Sequence, residues 1–211
     1  MELYFAPLAC SMATRIALYE AGATATFISV NTRSKRVADG SDFHAINPMG
    51  QVPVLRTDAG ELLMENPVVL QYVADRHPES GLAPPGGIER YRLQQWLNFI
   101  TSELHKVVFI PLLDPQTNDG AKDYARGKMA TRFRYLNDHL TGRDWLLDGF
   151  TVADAYLVTV MNWSGFTGTD LAPWPALQAY VQRACERPSV ARAMADELAL
   201  FREEQARRNA A

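Results

Sequence analysis

The sequence predicts a mixed α+β domain over residues 1–79, a linker at 80–86 and an all-helical domain over 87–211. Up to residue 79, short strand-like apolar runs alternate with helix-like segments. The linker region is rich in proline and glycine, the residues that most often interrupt regular structure. Beyond it, apolar residues recur at spacings of three and four, which is the pattern of helices with one buried face.

The first domain is predicted to have the order βαβ followed by ββα, which makes a mixed sheet that carries helices. A helix is expected from Met12 and is ended by Gly22, because glycine commonly terminates helices. Asn66 and Pro67 suit the cap and the first residue of a second helix. Strands are predicted at residues 3–5, 27–30, 52–55 and 61–64, and residues 32–47 are expected to be irregular.

The second domain is predicted to contain helices throughout. Apolar residues from Leu93 to Val107 define one buried face, and a second helix is expected over 120–140. Thr151 and Asp154 have the spacing of a capping box and open a third helix. Two further helices are predicted over 177–184 and 190–201, with Pro188 between them.

Composition and charge exclude several classes of partner. The 211 residues carry a net charge of −3 without a sizeable basic patch, which argues against a nucleic-acid partner. The sequence starts without a signal-peptide pattern and contains no apolar run of the roughly 20 residues that a membrane helix needs. Its two cysteines lie far apart and predict no disulfide framework. We therefore expect a cytoplasmic protein that binds neither nucleic acid nor membranes.

Cys10 is the first candidate for chemistry. It ends a short apolar run where a helix is predicted to begin, and a helix N-terminus favours the thiolate form of cysteine. No second cysteine follows, so a two-thiol redox cycle is not predicted. The structural alternative is a small residue packed at a turn. Cys185 precedes Pro188 near a helix end and is interpreted as a packing residue.

Two backbone features predict a place for a small anionic peptide. Pro53 interrupts a strand-like run, and a cis bond there would turn the N–H and C=O groups of Val52 toward an extended peptide. A proline on an edge strand is the alternative, and residue patterns alone favour it. Glu65 and Asn66 precede Pro67 at a helix start, where a ligand carboxylate can bind and Glu65 can pair with an ammonium group. A simple helix start is the alternative.

His105 lies next to Lys106 on the first predicted helix of the second domain. A lone histidine is more often structural than catalytic, but beside a cysteine site it can accept a proton or pair with a thiolate. His44, His77 and His139 show no partner spacing. Because no H-x-x-x-H or C-x-x-C pair is present, no metal site is predicted.

Taken together, these motifs resemble the cytosolic glutathione transferases and are most similar to the bacterial beta class. Each motif is weak alone, but they occur jointly in the family's order and spacing over nearly the whole chain. The segments that carry the resemblance are Pro7–Ser11, Asn47–Pro53, Glu65–Asn66, Asn98–Lys106 and Phe150–Tyr156. The resemblance implies a thioredoxin-like N-terminal domain, a helical C-terminal domain, a homodimer and glutathione as co-substrate without a metal.

The resemblance also implies roles for particular residues. It implies that Cys10 lies beside the glutathione sulfur, with Ser11 as a secondary hydrogen-bond donor and His105 on the helix that faces the sulfur. It implies a cis peptide at Pro53 and pairing of Val52 with the cysteinyl backbone of glutathione. The other glutathione-binding positions that it implies are Lys35, Gln51, Glu65, Asn66, Asn98 and Lys106.

Two residues depart from the family pattern. Asn66 stands where the family commonly has serine, so we expect altered geometry at the ligand carboxylate. Leu8 stands where the family often has glycine, so we expect a reshaped mouth of the site. Thr151 and Asp154 match the family's capping box, a folding element that lies outside the active site.

The expected activity is conjugation of the glutathione thiolate to small hydrophobic electrophiles, a detoxification reaction. Tyr4, Val108 and Trp163 are predicted to line the pocket for the electrophile. One alternative keeps the fold but uses Cys10 for thiol transfer or peroxide reduction, and dehalogenation or isomerisation of a particular substrate also stays open. Another is a non-catalytic binding or partner-interaction protein of the same fold.

Overall fold

The structure, a computed structural model, describes residues 1–209, which form two compact units. The first unit combines residues 1–82 with the chain from 188 onward, and the second comprises 83–187. The sequence placed the last helix in the all-helical domain, whereas its contacts place it in the first unit. The reason is that this helix packs along the first helix of the chain.

A five-stranded mixed sheet with the order β3-β2-β1-β4-β5 forms the frame of the first unit. The central strand β1 (Glu2–Phe5) runs parallel to β2 (Thr26–Asn31) and antiparallel to β4 (Val54–Arg56). The outer strands β3 (Arg36–Val37) and β5 (Leu62–Met64) are antiparallel to their neighbours. Because β1 is central, the turn at its end starts from the middle of the sheet.

Three helices complete the first unit. Helix α1 (Met12–Glu20) packs against both α2 (Asn66–Arg76) and the last helix, α9 (Pro188–Asn209). The first seven residues of α1 are buried, including the charged Arg15. A helix that is buried around its whole circumference must supply partners for its polar side chains, and α2 and α9 provide them here.

The second unit is helical, as predicted, and the fully buried helix α6 lies at its centre. The capping box that was predicted from Thr151 and Asp154 is confirmed at the start of α6. In the described part of the chain, no helix combines the length and the apolar character that crossing a membrane requires. The helices are α3 (Gly87–Phe99), a π-helical segment (Ile100–Phe109), α4 (Ile110–Leu113), α5 (Asp119–Leu140), α6 (Val152–Met161), α7 (Ser164–Thr167) and α8 (Pro175–Glu186).

The π-helical segment differs from the single α-helix that the apolar spacing predicted. At its start, the hydroxyl of Thr101 donates to the Leu97 carbonyl at 2.8 Å, and that of Ser102 to the Asn98 carbonyl at 3.0 Å. Hydroxyls bonded to the i−4 carbonyl compete with the helical ladder and distort it. Wide turns of this kind are frequent at functional sites.

The mixed α+β class and the order of its main elements are confirmed. Two short elements, β3 and a 3₁₀ turn at Phe43–Ala45, lie in the stretch that was predicted to be irregular. Two paired residues are too few to show an alternating pattern, which is why β3 was missed. The predicted strand from Val52 begins instead at Val54, because Pro53 has no N–H for the ladder.

Candidate active site

Cys10 lies in the tight turn between β1 and α1. The N–H of Ala9 donates to the Ala6 carbonyl at 3.1 Å, and the N–H of Met12 donates to the Ala9 carbonyl at 3.0 Å. Cys10 is half-buried and precedes the first residue of α1 by two positions. The thiol is therefore at the N-terminal end of a helix, as the sequence predicted, where the backbone dipoles favour negative charge.

The Cys10 thiol contacts the backbone of Val52. Its Sγ donates to the Val52 carbonyl oxygen at a distance of 3.3 Å. The Val52–Pro53 peptide is cis, as expected, and β4 begins only at Val54. The Val52 carbonyl therefore lies outside the sheet ladder. Cys10 and Val52 are 42 residues apart in sequence, and the fold brings them together within the first unit.

Ser11, which the resemblance implied as a secondary hydrogen-bond donor, bonds the backbone of its own turn. It is fully buried, and its hydroxyl accepts from the Ala6 N–H at 3.2 Å and donates to the Ala6 carbonyl at 3.3 Å. Both bonds close the turn before Cys10. This geometry favours a structural role for Ser11 over donation to a ligand thiol.

Glu65 and Asn66 lie where the chain enters α2. Glu65 is exposed, has a φ of +64° and occupies the cap position. Asn66 is the first helical residue, so the expectation that it caps the helix is wrong. Its side chain points inward instead, where Nδ2 donates to the Cys10 carbonyl at 3.0 Å and Oδ1 accepts from the Thr14 hydroxyl at 3.2 Å.

Lys35 is held against the segment that precedes the cis peptide. Its Nζ donates to the Gly50 carbonyl at 2.8 Å, and the Asn47 amide donates to the carbonyl of exposed Gln51 at 2.7 Å. Gly50 has a φ of +60°, the left-handed conformation that glycine adopts readily. Lys35 therefore bonds to the residue directly before Gln51. Lys35 and Gln51 are the two positions that were predicted for the glycyl end of glutathione.

Three non-glycine residues among those described have a positive φ, namely Leu8 (+59°), Lys35 (+56°) and Glu65 (+64°). Leu8 lies in the Cys10 turn, and the other two are predicted binding residues. Left-handed backbone is unfavourable for residues with a Cβ, and such positions concentrate at functional sites. Leu8 stands where the family that the sequence resembles often has glycine. Its positive φ explains why glycine would suit the position.

Glu197 and Arg15 were not predicted from sequence, yet they hold the Cys10 turn. Oε2 of Glu197 accepts from the Leu8 N–H at 2.7 Å, and Oε1 accepts from Arg15 Nε at 2.9 Å. Both side chains are buried, and the Arg15 guanidinium lies 4.3 and 3.9 Å from the ring centroids of Phe5 and Phe27. No local signal reveals this pair, because its members are 182 residues apart.

His105 lies in the second unit, buried on the π-helical segment. Its Nδ1 is 2.7 Å from the Tyr156 hydroxyl, and its ring centroid is 5.0 Å from that of Trp163. Burial, reinforced by the charge of Lys106, lowers the pKa of His105 to about 3. The ring is therefore neutral near pH 7 and only weakly basic, which suits hydrogen bonding rather than proton acceptance or a role as a cation.

The other two predicted positions of the second unit are at its surface. Lys106 and Asn98 are exposed, and the Asn98 amide donates to the Gln94 carbonyl of its own helix at 2.8 Å. Asn98 therefore uses one amide N–H within α3. Within residues 1–209, no three or more histidine, cysteine, aspartate or glutamate side chains cluster in a way that could hold a metal ion.

The predicted lining of an electrophile pocket is not supported as it stands. Tyr4 belongs to the apolar core of the first unit and packs against Phe43, with ring centroids 6.0 Å apart. Val108 and Trp163 are also buried. The apolar character that suggested these three residues as a lining reflects core packing, since large buried side chains most often serve the core.

Two family models match this chain. The model for the glutathione S-transferase N-terminal domain matches residues 1–75, and the model for the C-terminal domain matches residues 99–188. Together they cover most of the chain and include the Cys10 turn, the cis peptide and the π-helical segment.

Individual relatives agree with the family models. Glutathione S-transferase GstA of Escherichia coli O157:H7 is 41% identical over 93% of this chain and 98% of its own length. A solved beta-class glutathione S-transferase from Sphingomonas chungbukensis is 41% identical with a TM-score of 0.89, covering 93% of this chain and 98% of that one. A sphingomonad glutathione S-transferase solved in complex with glutathione is 43% identical, with the same TM-score and coverage.

Proposed function

This chain belongs to the glutathione S-transferase family, and from that premise we propose that it conjugates the thiolate of glutathione to small hydrophobic electrophiles. The observation that carries the proposal is the contact between the Cys10 thiol and the Val52 carbonyl at a cis peptide. This contact brings the nucleophilic thiol of Cys10 next to the Val52 carbonyl, which takes no part in the hydrogen bonds of the sheet. Glutathione, a peptide with a thiol, has groups that complement both.

The proposed binding mode uses the residues around this contact. Val52 pairs with the cysteinyl backbone of glutathione, and exposed Glu65 accepts from the γ-glutamyl ammonium group. The Asn66 N–H at the start of α2 is the proposed donor to the γ-glutamyl carboxylate, because Pro67 has no N–H and the N–H groups of Val68 and Val69 donate to the Glu65 carbonyl. Lys35 and Gln51 serve the glycyl end, where the Lys35 ammonium favours the second carboxylate. The exposed side chains of Asn98 and Lys106 are also proposed to bind glutathione, as the resemblance implied.

The proposed chemistry is thiol addition. A free thiol, whose pKa is about 8.5, is only a few per cent ionised near pH 7, so the site has to stabilise the thiolate. The N-terminal end of α1 supplies favourable backbone dipoles beside Cys10. The glutathione thiolate attacks an electrophilic carbon, a sulfur–carbon bond forms as a π bond of the electrophile breaks, and the displaced electron pair takes up a proton. We propose that His105 acts through hydrogen bonding rather than as the proton acceptor, because a pKa of about 3 leaves its ring too weak a base to hold a proton near pH 7.

Calorimetric titration of the reduced protein with glutathione, followed by a conjugation assay, tests this proposal. We expect saturable binding in the micromolar to millimolar range and glutathione-dependent turnover on a panel of electrophiles. Cys10→Ala should retain most of the conjugation activity if Cys10 only assists the glutathione thiolate, and His105→Gln should lower kcat. Binding without any turnover would instead favour a carrier of hydrophobic ligands, and absence of binding would favour a partner-interaction protein.

A second candidate function uses Cys10 itself, because its half-buried thiol lies at the N-terminal end of α1, where backbone dipoles favour the thiolate. In this reaction the Cys10 thiolate attacks glutathione disulfide, a mixed disulfide forms, and one glutathione thiolate leaves. Mass spectrometry of the protein after exposure to glutathione disulfide would show the added glutathione mass on the Cys10 peptide. Thiol transfer should disappear in Cys10→Ala, whereas conjugation should not.

We also propose that the protein is a cytoplasmic homodimer. The exposed large apolar side chains of the first unit include Met49 at 74% and Val68 at 48%. We propose that these side chains belong to the surface that the partner chain covers, since large apolar patches mark such surfaces. Analytical ultracentrifugation should give twice the mass of one chain, and Val68→Glu should shift the equilibrium toward the monomer. A single-chain mass at all concentrations would contradict the proposal.

A further inference from the structure

The side chain of Asn66 is held at both of its polar ends inside the first unit. Only 4% of the residue is exposed, although it stands at the helix start that is proposed to bind the ligand carboxylate. Its Nδ2 donates to the Cys10 carbonyl at 3.0 Å, and its Oδ1 accepts from the Thr14 hydroxyl at 3.2 Å. The amide is thus directed toward the protein rather than toward a ligand.

Cys10 is held by groups from three parts of the chain. Its carbonyl accepts from Asn66 on α2 and also from the N–H of Ala13 on α1 at 3.2 Å. Its thiol donates to the Val52 carbonyl, next to the cis peptide. A change at any one of these contacts will therefore move the sulfur relative to the other two.

We propose that Asn66 is a positioning residue, whose amide ties the Cys10 main chain to the first turn of α2 and so sets the thiol against the Val52 carbonyl. This proposal rests on the proposed function in one respect, since the turn of α2 is also the proposed γ-glutamyl subsite. Asn66 then couples the position of the thiol to that subsite, while its backbone rather than its side chain serves the ligand.

The chemistry of the amide explains why asparagine suits this position. One planar group presents a donor to Cys10 and an acceptor to Thr14. Thr14 is fully buried, so its hydroxyl requires an acceptor within the protein. A serine hydroxyl lies closer to the backbone and is a single atom, so it cannot occupy the two separate positions that Nδ2 and Oδ1 take here.

Two variants separate positioning from stability. Asn66→Leu keeps the branched shape of the side chain but removes both hydrogen bonds, including the one to Cys10. Thr14→Val is the matched control, because it removes the hydrogen bond to Asn66 and leaves the bond between Asn66 and Cys10. Both variants are expected to lose stability, so stability alone cannot distinguish the two roles.

The deciding measurement is the rate of Cys10 alkylation by iodoacetamide as a function of pH, without glutathione and quantified on the Cys10 peptide so that Cys185 does not contribute. Asn66→Leu should alkylate roughly fivefold faster than the original protein, the factor that corresponds to one lost hydrogen bond. Thr14→Val should differ by less than about twofold, because the bond to Cys10 is retained. The dissociation constant for glutathione should rise in Asn66→Leu but hardly in Thr14→Val.

Equal alkylation rates in the two variants, or an unchanged rate in folded Asn66→Leu, would overturn the proposal. If Asn66→Leu does not fold, Asn66→Ser is measured in the same way and decides the question. The alkylation readout does not depend on glutathione. Failure of the original protein to bind glutathione would therefore refute the proposed function while the alkylation rates still decide the role of Asn66.

Discussion

Replacing Glu197 with alanine is expected to lower the free energy of unfolding by about 3–5 kcal/mol, the usual cost of removing one partner of a buried ion pair. The carboxylate is buried and accepts from Arg15 and from the Leu8 backbone. Alanine would leave the Arg15 charge in the core without its carboxylate and the Leu8 N–H without this acceptor. Urea unfolding at pH 8, where the Glu197 carboxyl is ionised, followed by circular dichroism with linear extrapolation, measures the loss.

Asp196 is the matched control, because it is an acidic residue on the same helix and its side chain is 43% exposed. It accepts from the Tyr19 hydroxyl at 2.8 Å. Asp196→Ala should cost less than about 1 kcal/mol, as is usual for exposed polar contacts. Similar losses in Asp196→Ala and Glu197→Ala would show that burial of the ion pair does not determine the effect.

The Glu197 carboxyl also makes the free energy of unfolding depend on pH, and its pKa sets the direction of the change. Burial raises the pKa of Glu197 from the ordinary 4.5 to about 7, against the lowering effect of Arg15 and the Leu8 N–H. Between these two values the folded protein binds a proton that the unfolded chain releases. This contribution to stability is therefore fully present below pH 4.5 and is lost as the pH rises through 7.

Glu197→Gln tests that sign, because glutamine keeps the size of the side chain but does not titrate. From pH 5 to pH 8, the free energy of unfolding of the original protein should fall relative to that of Glu197→Gln. A difference that stays constant over this range would show that Glu197 does not take up a proton on folding.

Replacing Asp154 with alanine is expected to destabilise the protein by about 3 kcal/mol, since each buried backbone donor that loses its acceptor costs about 1–3 kcal/mol. One carboxylate oxygen accepts from the Leu146 N–H at 3.0 Å and from the Tyr180 hydroxyl at 3.2 Å. The other accepts from the N–H of Thr151 at 2.9 Å and from its hydroxyl at 3.0 Å. Thermal and urea unfolding both measure the loss.

Asp154→Asn distinguishes hydrogen bonding from simple packing. Both carboxylate oxygens face donors, so an amide nitrogen at either position would meet another donor instead of an acceptor. We therefore expect Asp154→Asn to be destabilised nearly as much as Asp154→Ala. Thr151→Ser, which keeps the hydroxyl, should cost under about 1 kcal/mol. Full stability of Asp154→Asn would contradict this account.

Local patterns predicted most of the fold because their causes are local. Thr151 and Asp154 are three residues apart, so the capping box could be identified directly in the sequence. Gly22 follows the end of α1 with a φ of +62°, the left-handed conformation that glycine adopts readily. The π-helical segment could not be predicted in this way, because the apolar spacing that marks its buried face is also the spacing of an ordinary α-helix.

The candidate site was predictable where one short segment carries the signal. Cys10 before a helix and Pro53 within a strand-like run both predicted special backbone positions, and the structure has both. The same patterns do not reveal where a side chain points. Asn66 was expected to cap α2, yet it bonds the Cys10 carbonyl, and Glu197 gave no signal although it accepts from the Leu8 backbone.

The membership of α9 in the first unit has a consequence for biosynthesis. A ribosome makes Leu8, Cys10 and Arg15 before the second unit, but the carboxylate of Glu197 comes 182 residues after Arg15. Until α9 has emerged, the Arg15 guanidinium has to remain hydrated and the Leu8 amide lacks the acceptor that holds its turn. The second unit is made entirely in this interval. The turn that carries Cys10 is thus completed only after the whole second unit has been synthesised.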